Sequence, residues 1–99
     1  MASMADGTVT RSVKVNNPNG MHARPAEVFV KTALKYQAKI EVIKDAQRVD
    51  GKSILNILTL AAEQGTELRL EATGPDAQAA LDALAELFKH NFAENETVE

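Results

Sequence analysis

Seven short segments of hydrophobic periodicity follow one another along this 99-residue chain and alternate between strand-like and helix-like patterns. Strands place side chains on two faces with a period of two, whereas helices gather apolar residues spaced three and four apart. Short polar turns separate the segments. The predicted order is β-α-β-β-α-β-α, with strands over 8–16, 39–44, 47–50 and 67–73, and helices over 23–36, from 54 to near Gly65, and from 74–76 to Phe92.

The strand segments carry apolar residues on one parity, which predicts a sheet with one covered face and one face in solvent. Three amphipathic helices are enough to cover one face. We therefore predict an α+β fold, a two-layer sandwich in which a four-stranded antiparallel sheet is covered on one side by three helices. The pattern does not determine the strand order. We expect a single domain over residues 8–92, a flexible N-terminal extension over 1–7 and a flexible acidic tail over 93–99.

Composition excludes several classes of function. There is no cysteine, which excludes disulfides and thiol chemistry and suits a reducing cytoplasm. The net charge of −3 and the position of all four aromatic residues on helices or their ends argue against nucleic-acid binding. No stretch approaches the ~18 apolar residues of a membrane helix. We expect a cytoplasmic protein with no membrane insertion, no nucleic-acid partner, no metal and no cofactor.

The string Gly20-Met21-His22-Ala23-Arg24-Pro25-Ala26 places a histidine at the start of the first helix. A helix N-terminus has unpaired N–H groups and a partial positive charge, and it therefore stabilises anions such as phosphate. A neutral imidazole offers a nucleophilic nitrogen at pH 7. If His22 took a phosphoryl group, its charge would be met by the N–H groups of Ala23 and Arg24 and by the Arg24 guanidinium. Taken alone, however, a histidine before a helix is more often an N-cap or a surface residue.

The whole string is more specific than its parts. "PNGMHARPA" and "DGKSILNILTLAAEQGTELRLEATGPDAQAAL" resemble the HPr family, the histidine phosphocarriers of the bacterial phosphoenolpyruvate-dependent sugar phosphotransferase system, and the resemblance covers roughly Val13 to His90. It implies an open-faced sandwich and a monomeric carrier with no turnover of its own on a small molecule. It also implies that His22 carries the phosphoryl group on Nδ1, assisted by Arg24, from enzyme I to a sugar-specific enzyme IIA.

Ser53 stands immediately before the second predicted helix. Most serines in this position are only N-caps. The resemblance implies a second role, regulatory phosphorylation by HPr kinase/phosphorylase, with a transcriptional regulator as a further partner. A phosphate on a helix N-terminus would be tolerated there and would place negative charge beside any docking surface.

The second helix is apolar on more than one face. By family likeness we expect Ile57 and Leu60 in the core, and we predict a partner-binding patch formed by Met21, Ile54, Leu55 and Leu58. The alternative is that all the apolar residues of this helix are core. Lys31 and Lys35 on the first helix would form a basic rim for acidic partners or simply a solvated face. His90, in the last helical turn, is assigned no function.

The rival function is a regulatory binding module, or a nitrogen-branch phosphocarrier, whose partners respond to its phosphorylation state without sugar transport. The presence of both His22 and Arg24 favours the carrier.

Overall fold

Four strands and three helices form the part of the chain that a computed structural model describes, residues 7–93. Their order confirms the predicted β-α-β-β-α-β-α succession. The elements are β1 (Thr8–Lys14), α1 (Ala23–Ala33), β2 (Lys39–Lys44), β3 (Gln47–Asp50), α2 (Ile54–Leu58), β4 (Glu67–Thr73) and α3 (Ala77–Lys89), followed by a 3₁₀ turn (Asn91–Ala93). The predicted terminal extensions lie outside the described residues, apart from Gly7 and Ala93. No helix among residues 7–93 is long and apolar enough to cross a bilayer.

The sheet has the strand order β1-β4-β2-β3, and all neighbouring strands are antiparallel. In the register, Val13 lies opposite Leu68, and Val42 lies opposite Leu70. Strands β2 and β4 present alternate apolar residues to the helices, which confirms the prediction of one covered face. Those buried residues are Ile40, Val42, Leu68, Leu70 and Ala72.

The helices complete the core above this face. Phe29 of α1 meets Phe88 of α3 edge to face, with ring centroids 6.0 Å apart. Phe92 packs on the other side of Phe88 at 4.8 Å. The buried residues of α1 run from Pro25 near its N-terminus to Ala33 at its C-terminus, so the helix packs on the core over its whole length.

The other face of the sheet carries charged residues. Glu41 and Glu71 are directly opposite each other on β2 and β4, an arrangement that repels. Arg48 of β3 donates to both carboxylates, at 2.6 Å and 2.5 Å respectively. The hydrogen bond to Glu71, followed by that to Glu41, raises the pKa of Arg48. The guanidinium thus offsets a like-charge pair on the face that the helices leave open.

The first helix is shorter than predicted. It ends at Ala33 rather than Tyr36, and the next residue, Leu34, is 60% exposed. The cause lies in other elements: Lys52 Nζ donates to the Tyr36 carbonyl at 2.8 Å, and Asp76 binds the next two amides. These tertiary bonds compete with continuation of the helix.

The third helix begins at Ala77, just after the predicted start at 74–76. Asp76 is its N-cap residue, and its side chain does not cap the helix. Its two carboxylate oxygens accept from the backbone N–H groups of Gln37 and Ala38, each at 2.8 Å. These bonds, the one from Gln37 above all, lower the pKa of the Asp76 carboxyl. Asp76 therefore joins the start of α3 to the loop between α1 and β2.

The second helix is also shorter than predicted, because it has only five residues and ends at Leu58. Gly65 is therefore not its C-terminal cap. The residues after α2 form hydrogen bonds outside the helix. The Ala62 carbonyl accepts from the Met21 amide at 2.8 Å, and the Gly65 amide donates to the Val15 carbonyl at 2.7 Å. The left-handed turn falls at Ala61, with φ +49°.

Candidate functional site

His22 is the N-cap residue of α1, in an extended conformation with φ −82° and ψ −170°. Its carbonyl accepts the first helical hydrogen bond, from Ala26 at 3.0 Å. The imidazole is half-buried, its Nε2 is on the buried side, and it forms no side-chain cap to the amides of the described helix. The ring is thus placed at the N-terminus without being used to cap it.

The turn before His22 requires glycine at position 20. Gly20 has φ +68°, a conformation that side chains rarely allow. A Cβ atom there would lie 2.4 Å from the Ala62 carbonyl oxygen and 2.9 Å from Glu63 Cα. The turn packs directly against the backbone that follows α2.

Two backbone donors face outward beside His22. The N–H groups of Ala23 and Arg24 have no carbonyl four residues earlier within the helix, and Pro25 has no N–H. Ala23 and Arg24 are both exposed. Within residues 7–93, no carboxylate forms an ion pair with the Arg24 guanidinium. An anion at this helix end would meet two amides, the helix dipole and a guanidinium.

Ser53 is the N-cap residue of α2, and its Oγ accepts from the Asn56 amide at 3.2 Å, which confirms the predicted cap. The Asn56 side-chain nitrogen also donates to Oγ at 3.2 Å. Ser53 is half-buried. The neighbouring Lys52 ammonium bonds to the Tyr36 carbonyl, as described above, and so joins the turn before α2 to the loop after α1.

The apolar residues around α2 divide as expected. Ile57 and Leu60 are each 1% exposed, whereas Leu55 is 75% exposed. Ile54 and Leu58 are half-buried and pack against the edge of the core. The alternative that all of them are core is therefore wrong.

Met21 does not belong with the exposed residues of the predicted patch. Its side chain is 5% exposed and lies within the core cluster. The reason is its backbone bond to Ala62, which turns the residue inward between the two loops. Lys31 on α1 and Lys35 just after α1 are both exposed.

The sequence alone does not identify Asn17 as a site residue. The structure shows it fully buried, with Nδ2 donating to the Gly20 carbonyl at 2.7 Å. No local sequence signal indicates this burial, because it depends on the loop after α2 lying over the turn. A dense run of turn residues immediately before a candidate catalytic histidine is the one hint available.

His90 is the C-cap residue of α3 and is exposed; its Nε2 lies 3.1 Å from Glu86 one turn earlier. No group of three residues with metal-binding side chains occurs within residues 7–93.

A half-buried histidine at the N-terminus of a helix, on an open-faced α+β sandwich, is the arrangement expected of a small phosphoryl carrier, and comparison with known proteins gives the family. A family model described as "PTS HPr component phosphorylation site" matches residues 9–90. The phosphocarrier protein HPr of Treponema pallidum is 43% identical over 86 residues, which are 87% of this chain and 98% of that protein. A crystal structure of HPr-C-His from Thermoanaerobacter tengcongensis has a TM-score of 0.85 at 39% identity and covers 88% of this chain and 98% of its own.

The chain therefore belongs to the HPr family of phosphocarriers of the phosphotransferase system, whose members are not enzymes. The family includes a relative with a different printed name. The HPr-like protein Crh of Bacillus subtilis is 40% identical over 77 residues, 78% of this chain and 91% of that protein.

Proposed function

We propose that His22 accepts a phosphoryl group from phosphorylated enzyme I and passes it to enzyme IIA components of the sugar phosphotransferase system. The observation that carries this proposal is the position of the imidazole. It stands at the N-cap of α1, is not used as a side-chain cap, and lies beside two amides without helical acceptors and the Arg24 guanidinium.

The transfer needs an exposed nucleophile and charge stabilisation rather than a deep pocket. The Nε2 atom of His22 is on the buried side of the ring, so the donor reaches the ring at Nδ1. The Nδ1 lone pair forms the new N–P bond while the bond from phosphorus to the enzyme I nitrogen breaks. The phosphoryl group brings about −2 charge, which the amides of Ala23 and Arg24 and the guanidinium offset. The reverse sequence of bond changes then delivers the group to enzyme IIA.

The partners would dock on the surface around His22. Leu55, with Ile54 and Leu58 beside it, supplies apolar area, and Lys31 and Lys35 supply positive charge for acidic partners. A monomer in the cytoplasm leaves this surface open to enzyme I and enzyme IIA in turn.

The decisive experiment uses enzyme I and ³²P-labelled phosphoenolpyruvate. Wild-type protein should take up label that is lost in acid and stable in alkali, as expected of an N–P bond. His22→Gln should take up none. The matched control is His90→Gln, which changes the chain's other histidine at an exposed helix end and should label like wild type. Equal labelling of wild type and His22→Gln, or no labelling of wild type by a competent enzyme I, would rule out the carrier role of His22.

We further propose that phosphorylation of Ser53 regulates the carrier. Phosphate on Oγ would replace the Asn56 contacts and place about two negative charges next to the exposed Leu55. ATP and HPr kinase/phosphorylase should give acid-stable label in wild type and in Ser12→Ala, a control on the exposed strand β1, but not in Ser53→Ala. Ser53-phosphorylated protein should accept phosphoryl groups from enzyme I more slowly, and unchanged acceptance would contradict this role.

The match to Crh supports a second candidate function, a regulatory module recognised through its phosphorylation state by a transcriptional regulator. The two labelling experiments separate the functions. Label at Ser53 with none at His22 would favour the regulatory module. Label at His22 that passes to a nitrogen-branch acceptor and to no sugar-specific enzyme IIA would favour the nitrogen branch.

A further inference from the structure

Among residues 7–93, Asn17 is the one polar or charged residue that is buried, and none of its surface is exposed. It lies on the turn between β1 and α1, five positions before His22. Buried amides are retained where their hydrogen bonds are made, and they fix one arrangement of the groups that they contact. The contacts of Asn17 are therefore the place to look for its role.

The side chain and the backbone carbonyl of Asn17 both form hydrogen bonds with Gly20. Its side-chain Nδ2 donates to the Gly20 carbonyl at 2.7 Å, and its own carbonyl accepts from the Gly20 amide at 3.0 Å. The Gly20 carbonyl also accepts from the backbone amide of His22 at 2.9 Å. One carbonyl oxygen thus receives both the Asn17 side chain and the residue that carries the imidazole.

The turn is also held from its other side, by the backbone at Ala62. The Met21 amide is bonded to the Ala62 carbonyl at 2.8 Å, and Gly20 is pressed against the same carbonyl. The position of the His22 backbone along α1 is consequently set by two anchors, Asn17 on one side and Ala62 on the other. Asn17 is the anchor that a side-chain substitution can remove.

We propose that Asn17 is a positioning residue for phosphoryl transfer; this rests on the proposed role of His22. By fixing the Gly20 carbonyl, Asn17 turns the His22 amide inward and aims the imidazole and the amides of Ala23 and Arg24 at one point in space. Asn17 itself touches neither the phosphoryl group nor a partner. Its loss should therefore lower kcat for the transfer from enzyme I while leaving KM for the carrier unchanged.

Two substitutions test this proposal from different directions. Asn17→Asp keeps the shape but places an acceptor against the Gly20 carbonyl, which forces the turn to shift. Asn17→Leu has a similar shape without a polar group that would need a partner, so it preserves folding. We expect kcat with each variant to fall about 10- to 100-fold, the effect of a misplacement on the order of 1 Å in a reacting group. Asn16→Asp, with an exposed side chain, makes the same chemical change one residue away and should be unchanged.

The measurements are kcat and KM of enzyme I with each variant as substrate, normalised to folded protein by circular dichroism, and hydrogen exchange at the His22 amide by NMR. A fall in kcat at constant KM, with faster exchange at His22 in both Asn17 variants, supports the proposal. Wild-type kcat after normalisation, in either folded variant, overturns it, because a purely structural residue would change only the folded fraction. Wild-type protein that takes no acid-labile label overturns the carrier role of His22, and this inference with it.

Discussion

Substitution of Gly20 by alanine tests the geometry of the site more sharply than substitution of the histidine itself. The new Cβ would lie 2.4 Å from the Ala62 carbonyl oxygen. That oxygen is a backbone atom that already accepts from the Met21 amide, so it cannot swing aside as a flexible side chain would. Gly65 provides a matched control, because its φ of +94° is also positive but a Cβ there meets nothing within 4 Å.

The expected magnitudes follow from this difference. Both substitutions place an alanine at positive φ, which costs about 1–2 kcal/mol. Only Gly20→Ala adds a steric overlap, and overpacking costs a further ~1–3 kcal/mol. We therefore expect Gly65→Ala to lose about 1–2 kcal/mol of unfolding free energy and Gly20→Ala about 2–5 kcal/mol. For a domain of this size, each 1 kcal/mol lowers Tm by about 4–8 °C.

The assay is urea unfolding followed by circular dichroism, together with the rate of phosphoryl transfer from enzyme I at a temperature at which both variants are folded. Gly20→Ala should be the less stable variant and should also transfer more slowly, because relief of the overlap moves the turn that carries His22. Gly65→Ala should transfer at the wild-type rate. Equal stability and equal rates for the two variants would refute the claim that the contact between Gly20 and Ala62 positions the site.

Four further predictions concern Arg24, Ile57, Leu55 and Asp76. Arg24→Ala should slow phosphoryl transfer about 100-fold, as expected for loss of a charge-stabilising donor, while the unfolding free energy of this exposed position stays within ~0.5 kcal/mol of wild type in urea titration. Ile57→Ala should lose about 2–5 kcal/mol of unfolding free energy. Leu55→Ala should lose less than ~0.5 kcal/mol but raise the KM of enzyme I for the carrier; an unchanged KM would remove Leu55 from the docking surface. Asp76→Asn should destabilise the protein above the ordinary aspartate pKa of 3.8, and the difference from wild type should shrink as the pH falls below that value towards the lowered pKa of the folded state. A pH-independent difference would contradict the lowered pKa.

The order of elements followed from periodicity because each segment has a consistent apolar face. Their ends did not, and the reasons are specific. Tyr36 lies outside α1 because its amide makes an i−3 bond to Ala33 and the next two amides bind Asp76. The chain beyond Leu58 bonds to Met21 and Val15 instead of continuing α2. The partners Asp76, Met21 and Val15 lie far away along the chain, and a local pattern does not contain them. The strand order also depends on how the helices connect the strands across the sheet, and hydrophobic periodicity carries no information about those connections.

The site itself divides in the same way. The residues of the proposed phosphoryl site, His22 and Arg24, lie in one contiguous string at a helix start, so they could be predicted without coordinates. The burial of Met21 and Asn17 could not, because the turn that contains them is bonded through Met21 and Val15 to the distant segment around Ala62 and Thr66. For Ser53, the N-cap role could be predicted from the local sequence. The bond of the adjacent Lys52 to Tyr36 could not, because it depends on the tertiary fold.

The backbone amides around the site explain why an anion would bind at one place and not along the whole turn. The amides of residues 20–22 are all engaged, with Asn17, Ala62 and Gly20 carbonyls as acceptors. The amide of Ala26 makes the first helical bond, and Pro25 has none. Only the amides of residues 23 and 24 have no acceptor within this stretch, and they adjoin the imidazole. Because Pro25 has no N–H, an anion at this helix end would have two backbone donors, and both belong to the residues that directly follow His22.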